Sequence, residues 1–219
     1  MRTFRFIPFL KSVYRLIFPE KKLHHGLGCM GLVDALSIYR SLDIIAKRFP
    51  KSAALQICEI GVRNGDTARG IVRFMTLRGH KVEYWGVDNG ADGFLFKPFR
   101  EAKMVWEDSV KAHHQLPGDF HWIFVDGCHC AEHAAQDITN YGAKIRDGGV
   151  LVMHDVSPHR QGEEYQGHGP RDDKHSHIWV REPMQTRMKS PEWTLEFEDW
   201  MDDAPGGVAA YTRRLSAVS

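Results

Sequence analysis

Two short apolar runs in the sequence end on acidic and imidazole side chains. The first ends at Val125 and is followed by Asp126 and His129, and the second is followed directly by His154 and Asp155. Short apolar runs of this kind are typical of strands buried on both faces of a parallel sheet. If the two strands are neighbours, their carboxyl ends lie side by side, where open α/β sheets bind ligands. The sequence therefore predicts one crevice that gathers two carboxylates and two imidazoles, which are groups that act as general acids and bases.

The segments around these runs alternate between strand-like and helix-like patterns. This alternation predicts βαβ units, and hence an α/β fold with a mostly parallel, doubly wound sheet. Two further strands, joined by a polar turn, follow near the end of the sequence. The predicted strands cover residues 55–60, 82–87, 103–106, 122–125, a fifth segment opened by Gly148 and Gly149, 194–200 and 208–213, and the predicted helices cover 67–78 and 131–141, with Asp137 facing outward.

Length and composition fit one ordinary globular domain. The 219 residues are 42% hydrophobic and 26% charged, which is typical of soluble proteins. A net charge of +1 gives no basis for expecting nucleic acid or acidic partners. The cysteines show no paired framework, and Cys58 falls in a predicted buried strand, so a reduced, cytoplasmic protein is expected.

We predict that residues 1–50 form an N-terminal part distinct from a larger domain at 51–219. Basic and apolar side chains are interleaved through residues 1–22, and no apolar run approaches the roughly 18 residues that span a bilayer. Three interpretations of this segment stay open: an amphipathic helix on a membrane or partner, a lid over the site, and a helix packed on the body. Asp34 is predicted to cap a helix that runs to about Phe49 and is terminated by Pro50.

The regular pattern stops after the second apolar run and its acidic end. Residues 157–177 are polar, contain several glycines, prolines and histidines, and are predicted to form an inserted loop that is functional or disordered. Residues 178–188 are predicted to form a helix broken at Pro183.

The tripeptide Cys128-His129-Cys130 carries metal-ligating side chains at an unusual spacing. Zinc-binding cysteines are normally separated by two to four residues, and no second cysteine pair follows. The sequence therefore disfavours a zinc site at this motif.

A glycine-containing turn follows the first predicted strand and opens a helix. Glu59 precedes Gly61, and Gly65 and Thr67 follow, so a ligand can approach the backbone near the free amides of the helix N-terminus. The dinucleotide fingerprint Gly-x-Gly-x-x-Gly is absent, and an acidic residue before the turn suits a cationic ligand better than a pyrophosphate. Asp88, at the tip of the second strand, is placed to bind the hydroxyls of a ribose.

Taken together, these motifs resemble those of class I S-adenosylmethionine-dependent methyltransferases. The motifs are Glu-x-Gly-x-x-x-Gly at 59–65, the Asp ending the second strand, Asp-Ser at 108–109, Val-Asp-Gly-x-His at 125–129 and Asp-Gly-Gly-Val-Leu-Val-Met-His-Asp at 147–155. They are most similar to the subgroup of metal-dependent sugar O-methyltransferases and cephalosporin-hydroxylase-like proteins. The resemblance covers residues 55–156 and the final hairpin. It implies a Rossmann-like seven-stranded sheet with a reversed last strand and helices on both faces.

The resemblance implies a binding site for S-adenosylmethionine along the glycine turn and the next two strand ends. Glu59 would lie near the ammonium group, Asp88 would hold the ribose, and Asp108 with Ser109 would flank the adenine. The implied cofactor-binding residues are Glu59, Gly61, Gly65, Thr67, Asp88, Asp108 and Ser109.

The resemblance also implies a divalent metal held by Asp126, His154 and Asp155. We expect magnesium or manganese ahead of zinc, although an imidazole ligand is better tolerated by manganese, iron or zinc than by magnesium. His129 matches the histidine of the family's Asp-Gly-x-His motif, so His129 and Asp126 are the implied catalytic residues. Cys128 departs from the family, in which an acidic residue is common at that position.

The predicted activity is O-methylation of a hydroxyl on a sugar or another small polyhydroxylated molecule. Three alternatives stay open: a metal-dependent hydroxylase-like enzyme on the same fold, a dinucleotide oxidoreductase, and a non-catalytic binding protein attached through residues 1–22. We expect a small-molecule substrate and no nucleic acid, in the cytoplasm or at the membrane periphery. Contact of residues 1–22 with a membrane surface and self-association are left open.

Overall fold

The computed structural model of the chain describes residues 30–90, 99, 102–164, 177–200 and 206–215. Seven strands form a single sheet within these residues, and their bounds lie close to the predicted ones. They are β1 (Ala54–Ile60), β2 (Lys81–Asp88), β3 (Lys103–Trp106), β4 (Phe120–Val125), β5 (Ile145–His154), β6 (Trp193–Asp199) and β7 (Val208–Arg213). Their order across the sheet is β3-β2-β1-β4-β5-β7-β6.

The sheet is parallel except at one strand. Strands β1 to β5 pair in parallel with their neighbours, whereas β7 is inserted between β5 and β6 and runs antiparallel to both. The chain builds outward from β1 to β2 and β3, and then returns to β4 on the other side. The carboxyl ends of β1 and β4 therefore flank the point where the strand order reverses, which is the usual ligand site of such sheets. The predicted doubly wound sheet with a reversed last strand is confirmed.

Helices cover both faces of the sheet, and two apolar clusters hold them there. The first cluster joins two helices to the sheet through Leu42, Phe74 and Trp122, and the second joins three helices on the opposite face through residues such as Ile138 and Met184. Successive strand residues point to opposite faces, so each central strand supplies both clusters. The α-helices of the described residues are α1 (Leu32–Arg48), α2 (Asp66–Leu77), α3 (Ser109–Ala112), α4 (Ala131–Gly142) and α5 (Arg181–Arg187).

Three details of the predicted helices are wrong. Asp34 does not cap α1, because it lies in the first turn and the N-cap residue is Gly31. Asp137 does not face outward; it is fully buried in α4, and its carboxyl group accepts a hydrogen bond from Ser109. Pro183 does not break α5, since it lies in the first turn of the helix, where a backbone N–H has no intrahelical partner.

Several predictions concern residues that the structure does not describe. The predicted roles of residues 1–22, and part of the inserted loop at 165–176, fall in this category. The described part of the loop contains a 3-10 turn at Pro158–Arg160 and a bridge between Glu164 and His177. No helix in the described ranges combines the length and the apolar character needed to cross a bilayer.

Candidate active site

The ends of β4 and β5 bring Asp126 and His154 together. The register of these parallel strands pairs Val125 with Met153, so the next residue on each strand stands beside the other. The Nδ1 atom of His154 lies 2.9 Å from Oδ1 of Asp126. The ends of the two strands are therefore adjacent, as the sequence predicts.

His129 completes the cluster from the turn between β4 and α4. Its Nε2 atom lies 3.4 Å from Oδ1 of Asp126 and 3.2 Å from Oδ2 of Asp155. The imidazole is buried, and the backbone carbonyl of His129 accepts a hydrogen bond from the amide of Trp179 at 2.7 Å. His129 thus lies between the two carboxylates, in a turn that is fixed by the segment leading into α5.

Asp155 reaches the cluster through an unusual backbone conformation. Its φ of 55° places it in the left-handed region, which few residues other than glycine, asparagine and aspartate adopt. In this conformation Oδ2 of Asp155 lies 3.5 Å from Nδ1 of His154, and Oδ1 lies 3.4 Å from Nη1 of Arg160. The guanidinium of Arg160 is a neighbour that the sequence alone did not reveal.

Asp34 is a second neighbour that sequence reasoning missed. Oδ2 of Asp34 lies 3.5 Å from Nε2 of His154, on the side of the ring opposite Asp126, and Oδ1 accepts a hydrogen bond from the amide of Gly207 at 2.9 Å. The carboxylate is buried because α1 packs on the carboxyl end of β5. Its position depends on how a distant helix docks, so no local sequence signal indicated it.

The electrostatics of the cluster favour charged side chains in spite of burial. Burial alone would raise the pKa of Asp126 and of Asp155, but the imidazoles of His154 and His129 lower both below the usual carboxyl value. Burial alone would lower the pKa of His154, whereas the carboxylates of Asp126 and Asp155 raise it well above the usual value. Two carboxylates and an imidazolium therefore occupy the crevice at neutral pH.

The same side chains fit a divalent cation. Asp126, His154 and Asp155 can each offer one ligand atom, and these atoms lie within 4.8 Å of one another. Two carboxylate oxygens and one imidazole nitrogen suit manganese or iron, and they suit magnesium less well. A ligating imidazole must be neutral, so such a cation would take the place of a proton on His154.

The glycine turn lies beside this cluster, at the carboxyl end of β1. Gly61 and Gly65 have φ values of 87° and 74°, and Gly65 is the N-cap of α2. Asp88 holds the turn in place, because Oδ2 accepts hydrogen bonds from the amides of Val62 and Arg63 at 2.9 Å and 2.8 Å. Binding of a ribose by Asp88 stays a prediction.

Glu59 is buried at the end of β1 and accepts a hydrogen bond from the hydroxyl of Tyr84. Burial raises the pKa of Glu59 well above its usual value, and the carboxylates of Asp126 and Asp88 add to this increase, while the bond from Tyr84 opposes it. A cationic group close to Glu59 would relieve the cost of its ionisation. The site therefore suits a positively charged ligand, as the acidic residue before the turn predicts.

The remaining predicted cofactor residues belong to α2 and α3. Thr67 is buried in the first turn of α2, and Oδ1 of Asp108 caps α3 by accepting the amide of Val110 at 2.9 Å. Ser109 points toward α4, where its hydroxyl donates to Oδ2 of Asp137 at 3.0 Å. Contacts of these residues with an adenine stay predictions.

Comparison with known proteins gives a family match for the central part of the chain. Residues 58–156, which run from β1 to just beyond β5, match the family model described as a methyltransferase domain. No curated protein sequence matches the chain.

Solved structures share the whole fold at low sequence identity. A Corynebacterium glutamicum protein is similar over 97% of this chain and 99% of its own, with a TM-score of 0.58 and 11% identity. An O-methyltransferase family protein from Burkholderia thailandensis is similar over 96% and 72%, with a TM-score of 0.54 and 10% identity. A S-adenosylmethionine-dependent methyltransferase from Clostridium acetobutylicum is similar over 96% and 99%, with a TM-score of 0.53 and 9% identity. At these identities the likeness shows the fold.

The fold is the Rossmann-like fold of the methyltransferases. The match to the methyltransferase domain covers the glycine turn and the cluster of Asp126, His129, His154 and Asp155.

Proposed function

We propose that this protein transfers a methyl group from S-adenosylmethionine to a hydroxyl of a small polyhydroxylated molecule, such as a sugar, with help from a divalent cation. The observation that carries this proposal is the cluster of Asp126, His129, His154 and Asp155 at the carboxyl edge of the sheet. The cluster lies beside the glycine turn, so a methyl donor at the turn and an acceptor at the carboxylates would be neighbours.

The residues of the turn would hold and orient the methyl donor. S-adenosylmethionine, when bound, supplies a methyl group on a positively charged sulfur. Gly61 and Gly65 present backbone without side chains, and the buried Glu59 favours a cationic group nearby. Orientation of two reactants is a large part of what a protein contributes to a transfer between them.

The two carboxylates would hold the acceptor side of the reaction. A bound divalent cation lowers the pKa of a hydroxyl, as it does for water. Asp126 and Asp155, with His154, offer the ligand set, and Arg160 offsets part of the negative charge of Asp155. A polyhydroxylated acceptor suits such a site because its hydroxyl oxygens can share the cation with the protein.

His129 would accept the proton that the acceptor loses. Its Nε2 atom faces both carboxylates, at 3.4 Å from Asp126 and 3.2 Å from Asp155, so a hydroxyl held there comes within reach of the imidazole. For Nε2 to accept a proton, the neutral ring must carry its own proton on Nδ1. Because His129 is buried, the proton would be kept away from bulk water during the transfer.

Formation of S-adenosylhomocysteine, followed over a panel of sugars and other polyols, tests the proposal. We expect product with at least one acceptor, loss of product after treatment with a chelator, and recovery when manganese is added. Asp126→Asn should abolish turnover, whereas Asp119→Asn, which removes an exposed carboxylate outside the cluster, should not. Full turnover in chelator would refute the role of the cation.

A further inference from the structure

A second group of metal-ligating side chains lies in the β4–α4 turn and the first turn of α4. Cys128, Cys130 and His133 can each offer one ligand atom, and these atoms lie within 4.8 Å of one another. Cys128 and Cys130 flank His129 in sequence, yet neither belongs to the cluster of carboxylates. His133 comes from the first turn of α4, which adds the imidazole that the Cys-x-Cys spacing alone lacks.

The separation between Cys130 and His133 is close to that of two ligands in a tetrahedral site, and Cys128 lies within 4.8 Å of both. Zinc bonds of about 2.3 Å to sulfur and about 2.0 Å to nitrogen place neighbouring ligand atoms about 3.5–3.8 Å apart. The Sγ atom of Cys130 lies 3.3 Å from Nδ1 of His133. A cation can therefore be held with small rotations of the side chains.

The surroundings of His133 are those of an oriented metal ligand. Its Nε2 atom lies 3.4 Å from Oδ2 of Asp108. A ligating histidine almost always donates its second ring N–H to a carboxylate, a carbonyl or water, which fixes the tautomer and the ring orientation. With Nδ1 directed toward Cys130 and Nε2 toward Asp108, His133 has this arrangement.

The backbone also fixes the position of Cys130. Cys130 is the N-cap residue of α4: its carbonyl accepts the amide of Ala134 at 3.0 Å, and its Sγ atom accepts the amide of His133 at 3.5 Å. Little ordering would therefore remain to be done when a metal binds.

We propose that Cys128, Cys130 and His133 form a second metal centre, selective for a soft divalent cation such as zinc, with Asp108 as the outer partner of His133. Two thiolates and one imidazole favour zinc, whereas the carboxylates of Asp126 and Asp155 favour harder cations. The two centres would differ in metal because they differ in ligand type. Zinc at this centre would tie the β4–α4 turn to α4 and so hold His129 in place.

Cobalt substitution tests the centre directly, on the full-length protein kept reduced and stripped of metal. We expect thiolate-to-cobalt charge-transfer absorption. Addition of zinc should displace the cobalt and remove this absorption, whereas addition of magnesium should not. Cys130→Ser is the sharpest variant, because serine is a good N-cap and keeps α4 capped while removing the soft ligand. It should abolish the absorption. It should lower the unfolding temperature no more than removal of the metal from the wild-type protein does.

Three further variants make the assignment specific. Cys128→Ser and His133→Gln should also abolish the absorption, and Asp108→Asn should weaken zinc binding by about 10–100-fold, as expected for loss of an outer partner. Asp126→Asn and Cys58→Ala should leave the absorption unchanged, because the first affects only the other cluster and the second is a cysteine buried in β1.

The result does not depend on the proposed methyl transfer, since the absorption reports on ligands alone. Absence of the charge-transfer absorption in the folded protein, or its persistence in Cys128→Ser, would overturn the proposal. Loss of zinc binding in Asp126→Asn would assign the metal to the carboxylate cluster instead. That result would also overturn the proposal of a second metal centre.

Discussion

The carbonyl oxygen of Asp126 lies 2.0 Å from the position that a Cβ atom on Gly61 would occupy. The turn after β1 therefore passes directly over the end of β4, and only glycine permits this approach. Two backbone hydrogen bonds, both of 2.8 Å, hold these segments together. The amide of Asp126 donates to the carbonyl of Ile60, and the amide of Gly61 donates to the carbonyl of Val87. The proposed cofactor turn and the acidic cluster are thus parts of one rigid structure.

Gly61→Ala should disrupt both parts of the site. A methyl group at this position meets backbone at 2.0 Å and must adopt a φ of 87°, so we expect a loss of several kcal/mol of stability, well beyond the roughly 1–2 kcal/mol of a left-handed alanine. The matched control is Gly90→Ala, which has a φ of 69° but no described atom within 4 Å of its Cβ. Urea unfolding of the two variants separates the cost of the steric contact from the cost of the left-handed backbone conformation. Equal losses of unfolding free energy in the two variants would contradict the account.

Substitutions at Asp155 should separate its charge from its backbone conformation. Asparagine tolerates the φ of 55°, whereas alanine does not, so Asp155→Ala should be less stable than Asp155→Asn by about 1 kcal/mol. Both variants should lose most of the manganese affinity of the carboxylate cluster, since neither keeps the negative oxygen ligand. Thermal unfolding and manganese titration measure the two effects, and retained manganese affinity in both would exclude Asp155 as a ligand.

Metal binding to the carboxylate cluster should depend steeply on pH. The carboxylates raise the pKa of His154, so the metal-free protein carries a proton on this imidazole at neutral pH, and a cation must displace it. The apparent manganese affinity should therefore rise by about tenfold for each pH unit below that pKa. In His154→Gln the affinity should be weaker and nearly independent of pH between about 6 and about 8. A wild-type affinity that falls with rising pH would contradict this assignment.

Asp137→Asn should remove a pH dependence of stability. Burial raises the pKa of Asp137 to about 7, so between pH 3.8 and about 7 the folded protein binds a proton that the unfolded chain releases. The free energy of unfolding contributed by this group is present at low pH and is lost as pH rises toward about 7, by up to about 4 kcal/mol. Urea unfolding at about pH 5 and about pH 8 measures the part of this loss that falls above pH 5, about 3 kcal/mol. The variant should lack it, because asparagine still accepts the hydrogen bond of Ser109. The same dependence in wild type and variant would contradict the buried, protonated state.

The sequence predicts the sheet and the cluster because both follow from local patterns. The alternation of strand and helix patterns predicts where the strands lie. Residues at the carboxyl ends of two neighbouring parallel strands must then lie close together, as Asp126 and His154 do. Family resemblance supplied the cofactor and the candidate ligands, whose roles stay predictions.

Other parts of the site could not be predicted, because they depend on how distant elements pack. Asp34 reaches His154 only through the docking of α1, and Arg160 reaches Asp155 from the segment after β5. Asp137 has an outward position in a simple helix pattern, but α3 packs over it. His133 lies beside Cys130 because Cys130 is the N-cap of α4, and the position of this helix boundary decides which side chains meet.

Calorimetric titration of the protein with S-adenosylmethionine, S-adenosylhomocysteine and NAD tests the central claim most directly. The glycine turn lacks the third glycine of a dinucleotide site and follows the buried Glu59, so it should accept a cationic methyl donor rather than a pyrophosphate. We predict saturable binding of the first two compounds and no binding of NAD. Binding of NAD, with no heat from S-adenosylmethionine or S-adenosylhomocysteine, would contradict the account.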